Sequence, residues 1–421
     1  MKYVFNQVLM MESAYNMQLF KYLRELHKQA ANAIENLYAH DLSGHYSDLA
    51  YHYGGARDEE RERHYAILAG DEAFAKSDNK HAIHYYKRSV ELIEQKDDKL
   101  KATVLVKLGT VYVWMSDYPS AQSYLEEGLI LARQTDDPHT IVMALSELGR
   151  IVYLQGDYDK ATEYLELGLT TARQNNDKFG SVAVLRHLGW VVYFQGNFEQ
   201  SEQYAIESLA ISREINNLYQ TATALNLLGA VTTWRLTFSK SEEYYQEGLA
   251  IFRKLGDRRG ICSFLGNLGR LALDQKRFTV ADRYFKEVLD ISQEIGLRQS
   301  VALALQNLVR VCIHLCQFEK AWTYLFPALQ ESMAIGAEPL LLNNIAMVAT
   351  LQVHNKNYKK AGMLIGLILN HPASNKNVIS IANKTLMSIQ DVLPKNELEA
   401  AISKGSRMDL NIVVKELIDS Q

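Results

Sequence analysis

Apolar positions recur along this chain with two periods at once. Within Lys101–Trp114, Leu105, Leu108, Val111 and Tyr112 fall at helical spacing and define one buried face. A polar break with Asp117 and Pro119 follows, and Pro suits the first turn of a helix because the N–H it lacks would have no partner there. A second amphipathic run then places Ala121, Tyr124, Leu125, Gly128 and Leu129 on one face. The helix–break–helix pattern repeats every 40 residues. Leu-Gly pairs end at Gly109, Gly149, Gly189, Gly229 and Gly269, and the next two slots hold Val309 and Ala349. Nine residues beyond each slot stands an aromatic (Tyr118, Tyr158, Phe198, Phe238, Phe278, Phe318, Tyr358). Three further on is a small residue (Ala121, Ala161, Ser201, Ser241, Ala281, Ala321, Ala361). The small slots let paired helices approach closely, and the aromatic is expected to fill the corner between them. Polar stretches such as Asp136-Asp137-Pro138, Asn175-Asn176-Asp177, Asn216-Asn217 and Gly256-Asp257 read as the turns between units. Seven units in one register predict an all-α protein.

These residues resemble the tetratricopeptide repeat, whose pattern asks for Leu-Gly, an aromatic, Ala, an aromatic and a small residue at the same offsets. The resemblance implies a right-handed superhelix, an α-solenoid, of about eight or nine helix pairs with a helical C-terminal cap. The unit here is 40 residues, against roughly 34 in the common repeat. Arg133, Arg173, Arg213 and Arg253 stand where the shorter repeat has Pro, which is expected to lengthen each second helix. Upstream, Ala66–Leu92 matches through Gly70, Ala82, Tyr85 and Tyr86, and Leu49–Ala69 matches more weakly. Pro327 falls inside a second helix and predicts a kink. The array is assigned to residues 41–370.

Residues 1–40 do not fit the repeat. Tyr3-Val-Phe5, Leu9, Glu12, Ala14-Tyr15 and the run from Leu23 to Tyr38 look like the junction in large bacterial signal-transduction ATPases, where the nucleotide-binding module passes into the repeat array. Transcriptional activators and class III adenylate cyclase-like proteins are among those chains. The family has Lys-His after the Phe; Asn6-Gln7 stand here, so a nucleotide-sensing histidine would be absent. Residues 371–421, with His371-Pro-Ala-Ser374, Leu393-Pro394 and Met408-Asp-Leu410, are similar to the tail that closes such arrays and read as two or three short amphipathic helices.

Composition narrows the function. With 45 Lys+Arg against 49 Asp+Glu the net charge is −4, which argues against a protein that grips nucleic acid over its whole surface. The apolar content of 48% excludes wholesale disorder. No apolar run is long enough to span a membrane, and Asn6, Gln7 and Glu12 interrupt the start, which makes a poor signal peptide. Cys262, Cys312 and Cys316 form no disulfide framework, so a cytoplasmic location is expected. There is no Gly-x4-Gly-Lys-Ser/Thr loop, nucleophile elbow or His-Glu-x-x-His pair; Gly260, Gly266 and Gly269 have the wrong spacing for phosphate and read as packing glycines. His45, Asp48 and His52 share a helical face that could ligate a metal, but exposed polar residues often share a face. Cys312 occupies a core slot. No cofactor, no metal and no catalytic residue are assigned, and the chain is read as a non-enzyme.

By analogy with the family, particular offsets of the first helices line a concave groove. They hold Trp114, Arg150, Tyr153, Arg186, Trp190, Tyr193, Phe194, Asn226, Trp234, Arg270, Gln306 and Arg310, with Asp274 the one acid at such an offset and Asn267 and Asn307 beside them. Asn267 and Asn307 lie where related arrays clamp a peptide backbone. Forked arginines and broad aromatics suit a protein or peptide segment bearing carboxylates. The competing reading packs the aromatics between neighbouring first helices and pairs the arginines with local acids such as Glu147. An acidic small molecule or a nucleic-acid backbone would satisfy the same arginines. The function expected is a protein-binding scaffold, the sensor or regulatory module of a bacterial signalling ATPase or transcriptional regulator. The alternatives are a self-standing adaptor or the regulatory subunit of a split cyclase or ATPase.

Overall fold

The computed structural model describes residues 20–93 and 97–419, and every regular element among them is a helix. The expectations placed on Tyr3, Phe5, Asn6, Gln7, Leu9, Glu12 and Tyr15 lie outside the described residues. The chain divides into two compact units, Met1–Leu227 and Leu228–Gln421. The first contains α1 (Phe20–Leu37), α2 (Tyr46–Ala56), α3 (Glu59–Ala75), α4 (Asn79–Leu92), α5 (Asp98–Trp114), α6 (Tyr118–Gln134), α7 (Pro138–Leu154), α8 (Tyr158–Gln174), α9 (Lys178–Phe194) and α10 (Phe198–Glu214). The division falls within α11 (Leu218–Trp234). The second unit continues with α12 (Phe238–Leu255), α13 (Arg258–Asp274), α14 (Phe278–Glu294), α15 (Arg298–His314), α16 (Phe318–Ala334), α17 (Glu338–His354) and α18 (Tyr358–Asn370). It ends with α19 (Lys376–Ile389), α20 (Lys395–Gly405) and α21 (Leu410–Asp419).

The period of 40 comes from the turns. Most helices of the array are 17 residues long and are joined by three-residue links. In each link the middle residue is left-handed, as at Ser116 (φ 61°), Asn176 (φ 53°) and Gly256 (φ 68°). This lets the next N–H reach back to satisfy an orphan carbonyl: Asp117 N–H to Tyr112 O at 3.0 Å, Asp177 to Ala172 at 2.9 Å, Asp257 to Phe252 at 3.1 Å. The same residue then starts the following helix. The carboxylates of Asp117, Asp177 and Asp257 accept from the backbone N–H groups of Ser120, Gly180 and Gly260. One residue therefore closes one helix and opens the next. Two such half-units make the repeat.

Packing explains the small slots. First helices bury almost every side, as α5 does with Ala102, Val104, Leu105, Val106, Leu108, Gly109, Val111 and Val113, whereas second helices bury a stripe such as Ala121, Leu125, Gly128, Leu129 and Ala132. A Cβ on Gly109 would stand 2.6 Å from Leu125 Cγ, and one on Gly149 2.6 Å from Leu165 Cγ. Gly70 faces Tyr86 in the same way, so the repeat extends upstream through α3 and α4. The aromatic that opens each second helix does more than fill a corner within its own unit. Tyr158 stacks on Phe194, Phe278 on His314 (4.8 Å, 8°) and Phe318 on His354 (3.6 Å, 23°), each contact joining one repeat to the first helix of the next. The second helices run past the arginines that replace Pro, and two of these tie neighbouring repeats: Arg173 to Glu207 at 2.6 Å and Arg253 to Glu287 at 2.8 Å. α16 continues as one helix through Pro327. Beyond α18 come the three short helices of the cap. Gly366 of α18 and Gly405 of α20 face Ile402 and Met363 backbone so closely that neither could carry a side chain.

Candidate functional site

The predicted groove residues lie on the first helices α5, α7, α9, α11, α13 and α15, and the two units use them differently. In the first unit the face is aromatic, and its arginines are already occupied. Arg150, on α7, lies with its guanidinium carbon 4.6 Å over the Trp114 ring of α5, and its Nη1 is 3.3 Å from Glu147 Oε2 one turn earlier. Both members of this ion pair are largely buried, at 14% and 7% side-chain exposure. Burial, the largest single influence, works against the charge of Arg150, but Glu147 together with Tyr153 and Tyr219 outweighs it and raises the pKa of the guanidinium. The local-acid reading therefore describes Arg150.

Arg186, on α9, turns its Nη2 to His187 Nε2 at 2.9 Å. A guanidinium only donates, so Nε2 accepts and the imidazole proton resides on Nδ1, a fully buried atom with no partner. Burial, then the charges of Arg186 and Arg150, push the pKa of His187 well below its ordinary value. Sequence reasoning passed over His187, because a histidine at a core-facing helical position carries no local signature. Around these groups Tyr153, Trp190 and Phe194 form a continuous stack: Tyr153 to Phe194 at 6.2 Å and Trp190 to Phe194 at 5.9 Å. Phe194 nonetheless remains 52% exposed. These rings pack between first helices, and Phe194 still presents a surface. Asn226 is half-buried at the end of this unit.

In the second unit the face is polar. Trp234 is 56% exposed. Arg270 of α13 donates from Nη2 to Asn267 Oδ1 at 2.8 Å, and Arg310 of α15 donates from Nη1 to Asn307 Oδ1 at 3.4 Å. Asn267 and Asn307, expected to face a peptide backbone, here brace arginines. Asp274 lies within the field of both guanidinium groups; burial raises its pKa, and Arg270 and Arg310 oppose that rise. Burial lowers the pKa of Arg310, as does Arg270, while Asp274 acts the other way. His314 is lowered by burial, Arg310 and Lys384.

Two sequence expectations are corrected. Gln306 does not line the face: it is buried and donates to Asn344 Oδ1 at 3.0 Å and Leu340 O at 3.2 Å, part of a polar chain that continues to Ser332. Gly266 is not a packing glycine, for nothing lies within 4 Å of where its Cβ would be, whereas Gly260 and Gly269 are crowded by Phe252 and Phe285. His52 turns its Nδ1 to His27 Nδ1 at 3.0 Å, away from the His45–Asp48 pair. Near these histidines a cavity of about 380 Å³ is lined by His27, Tyr51, Glu62, His84, Tyr85 and Arg88, its charges closed by a 2.6 Å Arg88–Glu62 bond. Cys262 and Cys312 are buried, Cys316 exposed.

Residues 100–294 match the tetratricopeptide-repeat family model in four overlapping windows, 100–174, 140–214, 180–254 and 220–294. That stretch is a tetratricopeptide-repeat array. Among solved structures, the fold is shared with a Signal Transduction ATPase with Numerous Domains carrying a tetratricopeptide-repeat sensor, from Pyrococcus horikoshii (16% identity, TM-score 0.60, covering 100% of this chain and 68% of that one). It is shared also with a Rap protein complexed with Competence and Sporulation Factor (19% identity, TM-score 0.55, 68% and 80% covered). A third is the Rap conjugation gene regulator of the plasmid pLS20 in complex with a Phr peptide (17% identity, TM-score 0.55, 67% and 76% covered). None of the curated protein sequences matches this chain. No helix among the described residues is long and apolar enough to cross a membrane.

Proposed function

We propose that this chain is a non-catalytic scaffold that binds a peptide or an extended protein segment on the exposed face of its first helices. The observation that carries the reading is the exposure of large aromatics on the first helices: Phe194 of the first unit, stacked on Tyr153 and Trp190, and Trp234 of the second. Rigid aromatics of this kind supply contact area at little entropic cost. Two solved Rap structures of the same fold hold Competence and Sporulation Factor and a Phr peptide, which supports a peptide ligand. The ATPase with a repeat sensor supports the finer reading, a sensor or regulatory module of a bacterial signalling ATPase or transcriptional regulator, with residues 1–40 as the junction to that module and the cytoplasm as its location. An adaptor scaffold is the alternative.

The test is to pan a random displayed-peptide library on the full chain and on Phe194→Ala/Trp234→Ala. A related set of peptides retained by the wild type and lost by the variant, at unchanged helical circular dichroism, is the expected result. Failure of the wild type to enrich any peptide over a blank surface overturns the reading.

A further inference from the structure

Among the arginines proposed to line this face, those of the first unit are neutralised or engaged within the fold: Arg150 by Glu147, Arg186 by His187. Other arginines are likewise paired, as Arg173, Arg253, Arg277 and Arg298 are with Glu207, Glu287, Glu242 and Glu331. Arg270 and Arg310 differ. Among the described residues no carboxylate comes within 4.0 Å of either guanidinium, and each is braced only by the asparagine one turn before it. Arg310 is partly buried with a single long hydrogen bond, an arrangement that leaves most of its donors without a partner in the protein and open to solvent or a ligand. One turn before Arg270, Gly266 leaves the volume of a side chain empty.

We infer that Arg270 and Arg310, with the open space over Gly266, form the anion subsite of the second unit, and that it takes the carboxylate of an aspartate or glutamate side chain in a bound peptide. This inference rests on the peptide-binding reading above and locates its charge recognition. A guanidinium fork matches a carboxylate in two parallel hydrogen bonds, and both forks are already oriented by Asn267 and Asn307. The charge balance selects the ligand. Two guanidinium groups against the Asp274 carboxylate leave one net positive charge, which a single carboxylate neutralises. A phosphate dianion or a nucleic-acid backbone would overshoot that balance and would meet Asp274 as a like charge. Lys384 acts on His314 at the edge of the cluster and is not among the charges acting on Arg310.

The experiment uses the peptides enriched by panning on the full chain. They are expected to share an acidic residue at one position, and its conversion to the amide (Glu→Gln) should weaken binding roughly tenfold or more. In Arg270→Gln/Arg310→Gln the peptide should bind as weakly as its amide form binds the wild type, and the amide conversion should cost nothing further. The exposed single variant Arg270→Gln serves if the double variant fails to fold. Gly266→Leu, which keeps every charge, should also lose binding by filling the space. Peptides without a shared acid, an amide penalty undiminished in the arginine variants, or a phosphoserine form that binds more tightly than the glutamate form each overturns the inference while leaving the peptide-binding reading standing. Absence of any enriched peptide overturns both.

Discussion

At the scale of single residues, the glycines separate helix packing from ligand space. Gly266 and Gly269 lie three apart in α13 and look alike in sequence, yet one faces nothing within 4 Å and the other meets the Phe285 ring at 2.7 Å. Gly266→Ala is therefore expected to raise stability by about 0.5–1 kcal/mol through helix propensity alone. Gly269→Ala should lower it by about 1–3 kcal/mol, because the ring is held in the core and cannot step aside. Urea denaturation of both variants checks this. Equal effects would show that Gly266 is packed after all. The arginines teach the same lesson. Arg150 and Arg270 occupy corresponding positions 120 residues apart, and only the surroundings make one an internal ion pair and the other a free fork.

At the scale of elements, the three-residue link governs the array. Its middle position requires φ near +60°, which Gly adopts freely and Asn with little cost. Gly156, Gly196, Gly256, Gly296 and Gly336 use the first solution, and Asn176 and Asn216 the second. Leu236 holds φ 58° with neither advantage and is 72% exposed, so its side chain contributes little burial in return. Leu236→Gly should stabilise the second unit by about 0.5–1 kcal/mol, relieving left-handed strain that outweighs glycine's larger unfolded-state entropy. A raised urea midpoint at constant slope is the expected readout. A lowered midpoint would mean that the Leu236 side chain packs favourably.

At the scale of the whole molecule, pH acts through imidazoles whose surroundings disfavour the charged form. His187 is neutral and fully buried, with its pKa well below the ordinary 6.5; His27, His52 and His314 are lowered too, each first by burial. In the unfolded chain each would take up a proton near its ordinary value, whereas the folded chain does not. Unfolding therefore binds protons in the window below about pH 6.5, and stability is full above it and declines as the pH falls. His187→Gln removes the most strongly depressed of these groups and should flatten the decline by up to roughly 1.4 kcal/mol per pH unit at its steepest. Thermal unfolding from about pH 7 down to about pH 5 measures it. An unchanged slope in the variant would show that His187 does not carry the effect.

The sequence by itself determined the helical class, the 40-residue unit, the small slots and the polar links. All of these are written in local terms: period, propensity and cap residues recur at fixed offsets, so each unit announces itself without reference to its neighbours. It also marked which offsets of the first helices are expected to share a face. The tertiary structure decided what those residues do. Whether Tyr158 meets its own first helix or Phe194 of the next, and whether Gln306 points to a ligand or to Asn344, depend on atoms from a different repeat, whereas Arg150 finds its acid, Glu147, one turn earlier in its own helix. Periodicity cannot report this, because it averages over units that are alike in backbone, while charge and exposure are set by the few positions where they differ.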